Sequence, residues 1–204
     1  MSARQHHWDN LYANKAEYDV SWYQPRAEIS MRMIEDSRMG VDAGIIDVGG
    51  GSSVLVDQLL ADDYSDVTVL DISERALANS AERLGARAAE VHWIVSDVLA
   101  WTPARDYHVW HDRAVFHFLT DERERAVYRA TLLKALRPKG TLILGAFAED
   151  GPERCSGLPV KRWSAAPLAF EIGPEFRLIE SIGENHRTPA GAVQPFTWTR
   201  FERV

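Results

Sequence analysis

The chain has 204 residues, 46% apolar and 26% charged, with a formal net charge of −7. That balance is ordinary for a globular protein and disfavours a non-specific nucleic-acid surface, and no stretch reaches the ~18 apolar residues of a membrane span. A single cysteine, Cys155, excludes a disulfide within the chain and suits a reducing, cytoplasmic setting, and the N-terminus lacks the apolar run of a signal peptide.

One domain is expected over residues 1–204, with 1–40 as a helical lid segment and no repeat or linker. Trp8, Tyr12, Tyr18, Trp22 and Tyr23 crowd that segment. Trp8 and Tyr12 read as packing aromatics, whereas Trp22 and Tyr23 are candidates for facing a ligand. Pro25 suits the first turn of a helix that carries Ile29, Met31, Met33 and Ile34 and stops by Gly40.

From residue 44 the pattern alternates strand and helix. Strands are expected at 45–48, 67–70, 91–95, 107–111 and 141–147, with helices at about 53–60, 73–84 and 120–136. The first strand runs into Gly49-Gly50-Gly51-Ser52-Ser53, a tight turn whose glycines let backbone approach a ligand closely. After residue 148 come a turn-rich loop, a short helix at 164–171 and two strands, 176–182 and 196–204, joined by the polar run 184–189. The short connection favours antiparallel pairing. The expected fold is α/β: a seven-stranded sheet of five parallel strands plus a C-terminal antiparallel hairpin, with helices on both faces.

In such sheets ligands sit outside the carboxyl ends of the strands. Here four successive ends carry Asp47, Asp71, Asp97 and Asp112. A dinucleotide loop requires Gly or Ala where this chain has Val54, and the nucleotide-triphosphate loop is absent. His108 and His111 fall on opposite faces of a strand, so they make no metal pair, and no metal site is expected.

The run Asp47-Val48-Gly49-Gly50-Gly51, Asp71 ending strand two, Asp97 ending strand three and the closing hairpin resemble the class I S-adenosylmethionine-dependent methyltransferases. The family's usual third glycine is Ser53 here. More narrowly, Trp8-Asp9, Ser21-Trp22-Tyr23 and Asp112-Arg113 are similar to a branch of small stand-alone enzymes. That branch includes elongation-factor and citrate-synthase lysine methyltransferases and thiol methyltransferases.

The resemblance implies a Rossmann-like sheet with S-adenosylmethionine as cofactor. It also implies roles. Gly49, Gly50 and Gly51 pass the methionine part, and Asp47 orients their loop or meets the amino group through water. Asp71 holds two ribose hydroxyls, Ile72 packs on adenine, and Asp97 accepts from the adenine amino group with Val98 beside it. Backbone near His111 faces the methionine amino group, and Trp22-Tyr23 close the cavity.

Candidate catalytic groups are His111, Asp112, His117 and His186, since histidine titrates near neutral pH. Candidate substrate contacts are Asp112, Arg113, His117 and Cys155. Base-methylating relatives carry Asp/Asn-Pro-Pro-Tyr after strand four; this chain has Asp112-Arg113-Ala114-Val115, which argues against nucleic acid. The expected reaction is methyl transfer to a small molecule, a thiol or an amine. The alternatives are a lysine on a partner protein and a non-catalytic cofactor-binding module. Oligomeric state is not legible.

Overall fold

The computed structural model describes residues 2–204. Helix α1 (Ala3–Asn14) starts at Ser2, whose hydroxyl accepts from the Gln5 N–H. A short helical turn at Glu17–Asp19 and an extended stretch lead to α2 (Glu28–Glu35). That helix starts three residues later than Pro25 suggests, because the Ala27 N–H is held by the Gln58 side chain at 3.1 Å. The N-terminal segment is therefore two helices joined by an irregular strap that carries Trp22 and Tyr23.

The alternating region follows as β1 (Ile45–Val48), α3 (Leu55–Ala61), β2 (Val67–Asp71), α4 (Glu74–Leu84), β3 (Val91–Val95), β4 (Tyr107–Arg113), α5 (Glu122–Ala135) and β5 (Leu136–Phe147). Ser73 caps α4 by accepting from the Ala76 N–H, and Asp121 caps α5 by accepting from the Arg123 N–H. Inside the turn-rich loop the chain makes a minimal hairpin of β6 (Arg154–Cys155) and β7 (Leu158–Pro159). Then come α6 (Ala165–Ile172), β8 (Phe176–Arg187) and β9 (Val193–Arg203).

The main sheet has seven strands in the order β3-β2-β1-β4-β5-β9-β8. β1 to β5 pair in parallel, β9 runs antiparallel to β5, and β8 runs antiparallel to β9. Strand alternation sends neighbouring residues to opposite faces. Ile45, Val109 and Ile143 bury against α2, α3 and α4; Ile46, Trp110 and Leu144 bury against α5 and α6.

The closing strands are longer than the sequence pattern suggests. The polar run 184–189 continues as strand through Arg187, and the turn lies near 188–192. Glu184 pairs with Phe196, which pairs with Phe147 at the end of β5. The hairpin turn thus emerges at the carboxyl end of the parallel strands. Polarity there reflects two exposed strand edges rather than a loop.

Candidate functional site

β1 lies where the order of the sheet reverses, with β2 on one side and β4 on the other. The glycine turn opens above this point. Gly49 and Gly51 have φ of +69° and +44°, a region that side chains rarely adopt. A Cβ on Gly49 would lie 2.0 Å from Val115 Cγ2, and one on Gly50 2.6 Å from both Asp47 Oδ2 and Val69 Cγ1. The Ser53 N–H donates to the Gly50 carbonyl at 2.7 Å and closes the turn.

Beside the turn a cavity runs across the strand ends. Gly49, Asp71, Ile72, Asp97 and Val98 line one half. Trp22, Phe118, Phe147 and Phe196 line the other, together with Arg113, Cys155 and Gln194. Trp8 and Tyr12 roof it, meeting Trp22 edge-on with ring centroids 5.9 and 6.0 Å apart.

Asp71 is buried, and its Oδ1 accepts from the Ser73 N–H at 2.7 Å. Burial raises its pKa to about 7, against the lowering effect of that N–H. Asp97 Oδ1 accepts from the Leu99 N–H at 2.9 Å, and Oδ2 accepts from Arg4 Nη1 at 3.1 Å. Arg4 Nη2 donates to Glu124 Oε1 at 2.6 Å, so one arginine straps α1 to both β3's end and α5.

Asp47 lies under the glycine turn. Its Oδ1 accepts from His111 Nδ1 at 2.7 Å, and Ser30 Oγ lies 2.9 Å from His111 Nε2. The order Asp–His–Ser has the layout of a nucleophilic triad, but Ser30, His111 and Asp47 are 1, 2 and 3% exposed. No acceptor reaches them; the chain of bonds ties α2 to the sheet. The second carboxylate oxygen, Asp47 Oδ2, is buried without a partner.

Asp112 turns away from the cavity. Its carboxylate accepts from the Val115 and Phe116 N–H groups and from the Tyr128 hydroxyl at 2.6 Å, fixing the turn after β4. Burial pushes its pKa up to about 6. His117 is also inside the core: its Nδ1 accepts from the Phe147 N–H at 3.4 Å, and burial, with Arg113 nearby, pushes it down to about 3. His186 stands near the end of β8, where its Nε2 donates to the Ser21 carbonyl at 2.8 Å. Burial lowers its pKa, with Arg113 acting in the same direction.

The cavity therefore gathers Gly49, Asp71, Ile72, Asp97, Val98, Trp22, Arg113 and Cys155. Gly50, Gly51 and Asp47 support it from below, and Tyr23 lines a smaller adjoining pocket with Ser52, Ser53 and Arg113. His111, Asp112, His117 and His186 do not line it. Sequence reasoning overlooked Arg4, Phe147, Gln194 and Phe196, and it assigned Trp8 and Tyr12 to packing. Trp8 and Tyr12 are four apart on α1 and so share a face, a signal that was available. Phe147 and Phe196 reach the cavity through the β5–β9 pairing, and Gln194 through the β8–β9 pairing.

Arg113 is held on two sides. Its Nη1 donates to the Trp22 carbonyl at 2.9 Å, and the guanidinium sits 5.0 Å above the Phe196 ring centre. Nε and Nη2 are buried without partners. Burial lowers its pKa below the usual arginine value. Burial also pushes the Cys155 thiol up. Among the described residues no group of three His, Cys, Asp or Glu is placed to hold a metal, and no helix is long and apolar enough to cross a membrane.

Residues 45–140 match the family model of a methyltransferase domain. Over 191 residues the chain is 24% identical to EEF1A lysine methyltransferase 2 of Mus musculus, covering 86% of this chain and 72% of that protein. Among solved structures, the N-methyltransferase NodS of Bradyrhizobium japonicum WM9, in complex with S-adenosyl-L-homocysteine, aligns with a TM-score of 0.75 at 15% identity over 99% of each chain. A SAM-dependent methyltransferase from Anabaena variabilis gives 0.75 at 17% identity, covering 99% of this chain and 94% of that one. At such identities the structural likeness establishes the fold.

Proposed function

We propose that the chain is a class I S-adenosylmethionine-dependent methyltransferase, and that it methylates a small molecule, a thiol or an amine, bound in the aromatic half of the cavity. The observation that carries this reading is the shape of that half: Trp22, Phe118, Phe147 and Phe196 box it in, under a roof supplied by α1.

The residues present fit the cofactor. The glycine turn packs so closely on Val115, Asp47 and Val69 that it leaves no room for a Cβ, and Asp47 Oδ2 and the Asp71 carboxylate are buried acceptors beside it. In this reading Asp71 accepts from the ribose hydroxyls, a charge-assisted arrangement. Asp97 and Val98 meet the adenine, Ile72 packs on it, and Asp47 orients the glycine turn. S-adenosylmethionine supplies a methyl group already activated on a sulfonium.

What remains for the protein is to hold the nucleophile in line and keep water out. Trp22 and the 1–40 segment do the second as a lid over a domain spanning 1–204. His111, Asp112, His117 and His186 act on structure rather than as bases, and catalysis is by positioning. This is supported by their bonds to Asp47, Tyr128, Phe147 N–H and the Ser21 carbonyl, and none of the four side chains lines the cavity. Cys155 contacts the acceptor.

Likeness to a lysine methyltransferase favours one second reading, a lysine on a partner protein. Radiolabelled cofactor incubated with a cell extract, then split into small-molecule and protein fractions, decides between them. Label in the small-molecule fraction is expected; label confined to protein overturns the first reading in favour of the second.

A further inference from the structure

Arg113, which lines the acceptor half of the cavity, is a fixed cation with one unpaired edge. A guanidinium presents two hydrogen-bonding edges, and Nε with Nη2 forms the side-on edge, whose two parallel N–H groups match the two oxygens of a carboxylate. In Arg113 these two are the buried donors without a partner, while Nη1 is already used on the Trp22 carbonyl. Buried polar groups are as a rule paired, and an ionised one more so.

The carboxylates closest in charge to Arg113 do not pair with that edge. Glu184 accepts from Gln24 Nε2 at 2.9 Å and from Trp198 Nε1 at 2.7 Å. Asp47 is engaged with His111 at 2.7 Å. Among the described residues no ion pair includes Arg113. Gln194, which also lines the cavity, has a buried amide oxygen without a partner. An amide can present either end, so it offers a second adaptable contact.

We infer that Arg113 is the anchor for a carboxylate carried by the methyl acceptor, bound side-on to Nε and Nη2 within the aromatic box. The inference rests on the methyltransferase reading of the same cavity and adds the acceptor's chemical class: a small acid with a nucleophile at its other end. The cofactor's methionine also carries a carboxylate, so the test must separate the two sources.

Calorimetry on the full chain, saturated with S-adenosylhomocysteine, would compare phenylacetate with its neutral isostere phenylacetamide and the cation phenethylamine. Hydrogen bonds to a charged group predict that phenylacetate binds about 10–100-fold more tightly than either. Arg113→Gln should erase the preference, and Arg113→Lys, which keeps charge but lacks the fork, should restore only part of it. Equal binding of the three probes to the wild-type chain overturns the inference, and that comparison stands whether or not the variants fold.

If Arg113→Gln weakens S-adenosylhomocysteine tenfold or more while phenylacetate shows no preference, the carboxylate held is the cofactor's, and the acceptor inference falls. Failure of S-adenosylhomocysteine to bind the wild-type chain would instead remove the methyltransferase reading itself.

Discussion

Asp71 should make cofactor binding depend on pH near neutrality. In the proposed site the ionised carboxylate accepts from two ribose hydroxyls; protonated, it loses the charge that strengthens those bonds. In the ligand-free chain burial holds its pKa at about 7. The ionised fraction is then about 9% at pH 6 and about 91% at pH 8, and apparent affinity scales with the competent fraction. The dissociation constant of S-adenosylhomocysteine should therefore fall about tenfold between pH 6 and pH 8, a difference of about 1.4 kcal/mol. Binding favours the ionised form, so a proton must leave as the ligand enters. At pH 7 titrations in two buffers of different ionisation enthalpy should report release of about half a proton. Asp71→Asn keeps the shape and one acceptor but cannot titrate, so its affinity should be weaker and flat across this range. A flat profile in the wild-type chain, or an unchanged slope in Asp71→Asn, would refute the assignment.

Gly49→Ala should lower stability by about 1–3 kcal/mol from its left-handed backbone alone, before the contact with Val115 is counted. Gly183→Ala, at an exposed position with nothing within 4 Å, is the control, and equal melting temperatures for the two variants would contradict the close packing of the turn. Arg4→Ala removes partly exposed ion pairs and should cost only about 0.2–1 kcal/mol, yet speed hydrogen exchange throughout α1. Unchanged exchange there would mean that Arg4 does not fasten the roof.

The cofactor half of the site was legible because its signals are local. A strand, its terminal acid and the turn that follows lie within a few residues, and strand alternation fixes which way each side chain points. Gly49, Asp71 and Asp97 could be placed in that way. The acceptor half was legible only in part: Trp22, Arg113 and Cys155 were named, whereas its other residues meet only through tertiary pairing. Phe147 and Phe196 become neighbours through the register of β5 and β9. His111 and His117 were named as candidate bases, and neither lines the cavity. Position near the end of β4 suggested chemistry, but side-chain direction put one against Asp47 and the other into the core, where an imidazole is a packing and hydrogen-bonding group. Trp8 and Tyr12 on α1, read as packing aromatics, do pack on Trp22 and also line the cavity, which a helix face alone does not show.

The bond chain from Asp47 through His111 to Ser30 bears on how such proteins can be recombined. The segment shared with other methyltransferase domains, 45–140, contains Asp47 and His111 but not Ser30, nor Trp198, whose ring lies against the imidazole. Grafted alone into another scaffold, it would carry a buried imidazole–carboxylate pair stripped of its outer partner and its cover. Buried charged groups tolerate such losses poorly. Chimera junctions should therefore fall before α2 and after β9, so that the transplanted piece keeps both Ser30 and Trp198 beside His111.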